Sequence, residues 1–197
     1  MASQRLEHQI AFLREVDRLK GVLRRSYVLA GERRENSAEH CWHVALAAIV
    51  LAEHAAEPVD VARVVQMLLL HDLVEIDAGD TFIYDPAGQA DKVARERAAA
   101  ARLFGTLPAE QGDELAALWE EFDARRTPDA RFAASLDRLL PMLHNLWCRG
   151  KSWQEHGIRL GQVLEVNRHM AEGAPALWAH ARAAVEQAAR EGLLAAD

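Results

Sequence analysis

The stretch Val64-Val65-Gln66-Met67-Leu68-Leu69-Leu70-His71-Asp72 decides how this chain reads. An apolar helix runs out on an imidazole next to a carboxylate. Polar groups at the buried end of a helix are costly unless something pairs with them, and both of these side chains can bind the same metal ion. By itself the dipeptide is no more than chance supplies, so its meaning depends on what flanks it.

The chain of 197 residues suffices for one substantial core. Half of its residues are apolar, and the net charge is −7. That charge argues against a nucleic-acid polymer as partner, which needs a basic track, but leaves room for a small anion held by a local arginine cluster. The two cysteines, Cys41 and Cys148, make no disulfide framework and fit a reducing compartment. No apolar run reaches the roughly eighteen residues of a membrane span. Met1–Glu7 lacks the basic-then-apolar order of a signal peptide. A cytoplasmic protein that does not engage membranes is expected.

Outward from the dipeptide, the pattern predicts helices almost throughout, hence an all-α fold in a single domain over residues 1–197. Ile10, Leu13, Val16 and Leu19 mark a first helix of about twenty residues. Residues 25–36 read as a loop. Asn36 then caps a helix, with Glu39 closing a capping box. Pro58 and Asp60 open the helix that carries His71 and Asp72 and runs to about Glu75; a loop follows to about Gly88. Further helices are expected over about 89–104, from Pro108 to about 124, and from Thr127-Pro128 to about Trp147. Ser152 and Pro175 start two last helices, over 152–192. No strand-type alternation of useful length is visible.

Upstream, Arg33-Arg34-Glu35-Asn36-Ser37-Ala38-Glu39-His40 ends on a histidine in the first turn of its helix. Downstream, Asp137 interrupts an apolar helical surface in Ser135-Leu136-Asp137-Arg138-Leu139-Leu140-Pro141. His40, His71, Asp72 and Asp137 thus come from three helices. Two imidazoles with two carboxylates suit one divalent ion such as Mn, Co, Ni, Fe or Mg, and the lack of a thiolate speaks against a structural zinc site. Four protein donors on an octahedral ion leave two positions for water and substrate, which is a hydrolytic arrangement.

This H…HD…D order resembles the HD-domain metal-dependent phosphohydrolases. The blocks RRENSAEHCWH (33–43), LLLHDLVEIDAGD (68–80) and LDRLLPMLHNLW (136–147) are similar to those of the family that includes bacterial 5′-deoxynucleotidases and related small HD hydrolases. The likeness runs from about Leu19 to Ile158. It implies an all-helical HD bundle, usually a homodimer, that releases phosphate from deoxynucleoside 5′-monophosphates. It also implies His40, His71, Asp72 and Asp137 as metal ligands and Glu75 as the carboxylate that assists the attacking water. Asp80 matches a position that touches the sugar. Arg24 is preferred over Arg25 for the basic residue that grips phosphate. The tryptophan that follows it in the family is absent from Arg24-Arg25-Ser26-Tyr27.

Glu75 follows Asp72 by three residues, so a continuing helix would put both on one side. Arg33 and Arg34 are read as phosphate contacts or as partners of Glu35 and Glu39. His144 and Asn145 lie two turns beyond Asp137, where they meet substrate or cap the helix. His43 is read as a packed or substrate-side histidine, with a second metal ligand as the alternative. Asp77 is read as a turn residue. Pro141 removes the amide that would bond the Asp137 carbonyl, which predicts a bend beside the ligand. The primary expectation is a phosphomonoesterase for a nucleotide or similar small phosphate ester. A phosphodiesterase or nucleoside-polyphosphate hydrolase is the enzymatic alternative, and a non-catalytic helical module keeping a metal is the alternative from another class.

Overall fold

Asn36 stands in extended conformation and its side chain accepts from the Glu39 amide, while the Glu39 carboxylate accepts from the Asn36 amide. This reciprocal cap fixes the start of α2 (Ser37–Leu51) and so the height of His40 in its first turn. In the computed structural model, which describes residues 2–29 and 31–197, α2 is preceded by α1 (Ala2–Val16), a 3₁₀ segment (Asp17–Gly21), and strands β1 (Leu23–Tyr27) and β2 (Arg34–Asn36). Met1 and Ala30, the latter within the expected 25–36 loop, lie outside the described residues.

That loop is an antiparallel hairpin in the structure, with Leu23 opposite Asn36 and Tyr27 opposite Arg34. The short, charged strand Leu-Arg-Arg-Ser-Tyr carries no apolar alternation that a sequence scan can find. Its burial does alternate: Arg24 and Ser26 point inward, and Arg25 points out.

Asp60 accepts from the amides of Ala62 and Arg63 and caps α3 (Val61–Leu70). The expected helix to Glu75 is broken. α3 ends at Leu70, tighter bonds follow (Leu73 amide to Leu70 carbonyl, Glu75 amide to Asp72 carbonyl), and Glu75 opens the short α4 (Glu75–Ala78). Gly79, with φ of 75°, adopts a conformation that suits glycine and turns the chain into Asp80.

The expected 79–88 loop holds the one-turn helix α5 (Pro86–Gln89), and α6 (Lys92–Phe104) and α7 (Ala109–Ala124) follow. Thr127 caps α8 (Pro128–Trp147), its hydroxyl accepting from the Ala130 amide, with proline at the first helical position. α8 continues past Pro141 without a break, and the Asn145 side chain donates to the Pro141 carbonyl. The expected pair of C-terminal helices is instead four segments: α9 (Lys151–Glu155), α10 (Leu160–Asn167), α11 (Met170–Gly173) and α12 (Pro175–Arg190). Gly150 and Gly157, both at positive φ, flank α9.

α8 is the central strut, packed against α2, α3, α7, α11 and α12. Ala130, Phe132, Ala133, Ala134, Leu136 and Leu139 are buried along it. α11 approaches so closely that a Cβ on Gly173 would lie 2.2 Å from the Arg131 carbonyl oxygen. One apolar cluster gathers α2, α3, α8 and the C-terminal helices; a second joins α1, α4, α6 and α7. Met67 and Leu68 just before the 71–75 turn belong to the first cluster and Leu73 and Val74 within it to the second, so the polar residues of that turn lie where the two apolar bodies meet.

Candidate metal centre

Three elements deliver the donors. His40 comes from the first turn of α2, Asp137 from mid-α8, and His71 and Asp72 from the end of α3. His40 Nε2 lies 2.9 Å from Asp137 Oδ1. His71 Nε2 is 3.4 Å from that same oxygen and 3.2 Å from Asp72 Oδ1. Neighbouring donors about 2.1 Å from one octahedral ion stand roughly 3 Å apart, so the spacing fits a shared cation.

The orientation of the histidines fits as well. His71 Nδ1 donates to the Leu68 carbonyl at 2.8 Å, leaving Nε2 to face the carboxylates; that atom is buried without a hydrogen-bond partner. His40 is fully buried, and Nδ1 is its unpartnered atom, 3.7 Å from Glu35 Oε2. The residues present therefore suit a divalent ion.

Electrostatics agree. Burial pushes the His71 imidazole down, but Asp72, Cys41 and Asp137 together outweigh it and hold its proton well above the usual range. Burial pushes the Asp137 carboxyl up, yet Arg138, His40 and His71 hold it well below. Cys41, with Sγ 3.8 Å from His71 Nδ1, is a buried thiol whose burial raises its pKa, consistent with a packing residue.

Glu75 keeps its place beside Asp72 despite the break in the helix. It is buried, and Ser37 Oγ donates to its Oε2 at 2.7 Å. Burial and the charge of Asp72 push its carboxyl up to about 8, against the pull of Arg24. Its effect on stability has a definite sign. Below about pH 4.5 both folded and unfolded chains carry the proton. Between there and about pH 8 only the folded chain keeps it, so stability falls as pH rises through that window. Metal-free Glu75→Gln protein lacks this penalty. It should melt like wild type near pH 4.5 and be more stable by a few kcal/mol at pH 8.5; equal melting temperatures across the range would show that Glu75 ionises freely.

A cavity of about 70 Å³ contains His71, Asp72, Glu75, Asp80 and Asp137, and its cations are Arg24, Lys92, Arg125 and Arg138. A second, of about 90 Å³, shares Arg24, Asp80, Thr81 and Arg138 with it and adds Phe82, Tyr84 and Trp153. Arg24 Nη1 donates to Asp72 Oδ2 at 2.5 Å, and its Nε is buried without a partner. Arg25 reaches only the second cavity. Burial pushes the Asp80 carboxyl up, against the pull of Arg24, with Asp72 adding to the rise.

Other expected contacts stand elsewhere. Arg33 makes a two-pronged pair with Glu39 at 2.8 and 2.7 Å, and Arg34 lies 4.0 Å from Glu155. Neither lines either cavity, and nor does His144, which is buried beside Glu35 and His43. Asp77 pairs with Arg102 and Arg18 on the outside. Sequence reading missed Lys92, Arg125 and Arg138 as cavity cations. Only Arg138 had a signal, its place next to Asp137. Arg125 is itself the left-handed residue (φ of 52°) that ends α7, a conformation no local pattern announces.

Buried imidazoles and carboxylates gathered from three helices define a metal-binding helical domain, and the chain belongs to the HD domain family, whose pattern matches residues 16–178. Among its relatives are proteins named 5′-deoxynucleotidase HDDC2. The Bos taurus protein is 30% identical over 139 residues, covering 70% of this chain and 66% of the relative. The Homo sapiens protein is 31% identical over 130 residues, covering 66% and 62%. The chain thus spans slightly under two thirds of the length of these curated relatives. A solved structure from Magnetospirillum magnetotacticum MS-1, described as a "predicted metal-dependent phosphohydrolase", is 51% identical, with a TM-score of 0.94, covering 99% of this chain and 98% of that one.

Proposed function

We propose that this protein is a metal-dependent phosphomonoesterase that releases phosphate from (deoxy)nucleoside 5′-monophosphates. The observation that carries this reading is the convergence of His40 Nε2, His71 Nε2, Asp72 and Asp137 on one point, with Glu75 and four cationic side chains around the same cavity. The names of the HDDC2 proteins and of the Magnetospirillum structure support the substrate class and the reaction.

In this reading His40, His71, Asp72 and Asp137 hold a single divalent ion of the Mn, Co, Ni, Fe or Mg group. When bound, that ion supplies positive charge to the phosphate and eases ionisation of water. Glu75 accepts the proton of the attacking water. The water oxygen bonds to phosphorus, the bond from phosphorus to the 5′ oxygen breaks, and that oxygen takes up a proton as the nucleoside leaves. Arg24 swings from Asp72 to the phosphate, and Arg138, Lys92 and Arg125 add to the charge that positions it. Asp80, at the wall common to both cavities, meets the sugar. Phe82, Tyr84 and Trp153 offer the base an aromatic wall.

We further infer a cytoplasmic, homodimeric protein folded as one HD domain. The free cysteines support the compartment. Trp42, Leu46, Ile49 and Val50 form an exposed apolar stripe at helical spacing on α2, which supports a second copy as partner. No helix among the described residues is long and apolar enough to cross a membrane.

The deciding experiment incubates the purified chain, loaded with Mn or Co, with a panel of ribo- and deoxynucleoside 5′-monophosphates. Phosphate release from at least one deoxynucleotide is expected. No release from any, with the ion bound, would remove this reading.

A further inference from the structure

A second set of donors stands behind the first and has no part in the chemistry above. Glu35, His43 and His144 each offer one ligand atom, and the three atoms lie within 4.8 Å of one another. Glu35 comes from β2, His43 from α2 one turn beyond His40, and His144 from the last turn of α8. Glu35 Oε2 is served by Ser26 and faces Arg24 Nε at 3.8 Å, while its Oε1 and the His144 ring nitrogen facing it are left unsatisfied by each other. Glu35 is 2% exposed and His144 5%. His144 Nδ1 has no hydrogen-bond partner and lies 3.6 Å from Glu35 Oε1, beyond hydrogen-bonding range. Ser26 donates to the other Glu35 oxygen, Oε2, at 2.9 Å, so Oε1 is left facing the imidazoles. The His43 and His144 rings stand 5.4 Å apart, and Trp42 stacks on His43.

The spacing discriminates between a direct bond and a bridged one. Two donors about 2.1 Å from one ion at a tetrahedral angle lie roughly 3.4 Å apart. The observed 3.6 Å is close to that and too long for an imidazole–carboxylate hydrogen bond. Two imidazoles and one carboxylate suit Zn²⁺ and its first-row neighbours rather than Ca²⁺ or Mg²⁺.

We propose that Glu35, His43 and His144 form a second metal site, for Zn²⁺ or a similar transition-metal ion, separate from the four-residue centre. The two sites meet back to back across one imidazole. His40 turns Nε2 toward Asp137, at 2.9 Å, and Nδ1 toward Glu35, at 3.7 Å. An ion on Glu35 therefore competes with His40 for that carboxylate and weakens the electron donation of His40 to the first site. This coupling rests on His40 being a ligand of the first centre; the second site does not.

The test is Zn²⁺ stoichiometry on the whole chain, by competition with a chromophoric chelator, with anomalous scattering from Zn²⁺-soaked crystals to place the ions. Wild type should hold two ions per chain. His43→Ala should hold one, at the His71-Asp72 centre, and Asp137→Ala should hold one, between Glu35 and His144. His43 is only half-buried on a helix, so alanine is tolerated there; His43→Gln, checked by circular dichroism, guards against a packing effect. A wild type with one ion and an Asp137→Ala protein with none would overturn the second site, as would two ions persisting in His43→Ala. A failure of the first centre looks different: one ion in wild type, none in His43→Ala.

Discussion

Asp137→Ala protein will release phosphate on the order of 1,000-fold more slowly than wild type, the equivalent of several kcal/mol of lost transition-state stabilisation. One carboxylate oxygen of Asp137 serves both histidines, at 2.9 Å from His40 Nε2 and 3.4 Å from His71 Nε2. Its removal takes away a donor and also leaves two buried imidazoles without the charge that offsets their burial. A loss of about 3 kcal/mol in stability should accompany the kinetic loss, since breaking a buried ionic cluster costs more than the cluster contributes. Asp137→Asn preserves shape and separates the two effects: it should keep most of the stability and still lose the rate. The measurements are kcat/KM with Mn, calorimetric metal titration and thermal melting. Activity within tenfold of wild type with normal metal affinity would show that Asp137 is not a ligand.

Glu75→Gln is expected to lower kcat by about 10²- to 10⁴-fold, the range typical of a lost general base, while metal affinity and KM change little. The amide can still accept from Ser37, whose hydroxyl donates to Glu75 Oε2 at 2.7 Å, so the side chain should stay in place. The stability effect has the opposite sign to the kinetic one. The wild-type carboxyl is pushed up to about 8 in the metal-free protein and pays for its ionisation at alkaline pH, whereas glutamine does not. A slower enzyme that melts higher at pH 8.5 cannot be explained by misfolding. Near wild-type kcat in the glutamine variant would instead assign the proton transfer to another group.

The two effects differ in how far the sequence foretold them. In the sequence Glu75 reads as a neighbour of Asp72 on the premise of a continuous helix. The helix breaks at Leu70, and the carboxylate arrives beside Asp72 through a tightened turn and a new short helix. The right neighbour was reached by the wrong path, because three residues of tight turn and three of α-helix end in similar places. The Arg24–Arg25 choice shows the reverse. No helical or loop reading separates two adjacent arginines, but strand pairing does, since its period of two sends Arg24 inward to Asp72 and Arg25 outward.

Helical spacing sets His144 two turns beyond Asp137 without setting what it faces, and for Arg33 the sequence leaves open a phosphate contact or a pairing with Glu35 or Glu39, of which the structure shows the pairing. Arg33 closes onto the capping Glu39, and His144, two turns beyond Asp137, faces Glu35 rather than the cavity. The cations that do line the cavity, Lys92 and Arg125, come from elements far from the motif blocks.

What the sequence determined by itself is local. The caps at Asn36, Asp60 and Thr127, the apolar faces of α2, α3 and α8, and the donor types His40, His71, Asp72 and Asp137 follow from neighbours a few residues apart. The tertiary structure alone decided which of these groups meet. Hairpin register aims Arg24, and helix packing around α8 brings Asp137 to His40 across 97 residues and Glu35, His43 and His144 together. Capping and periodicity act over one or two turns, whereas juxtaposition depends on how whole elements pack, and no short stretch of chain encodes that.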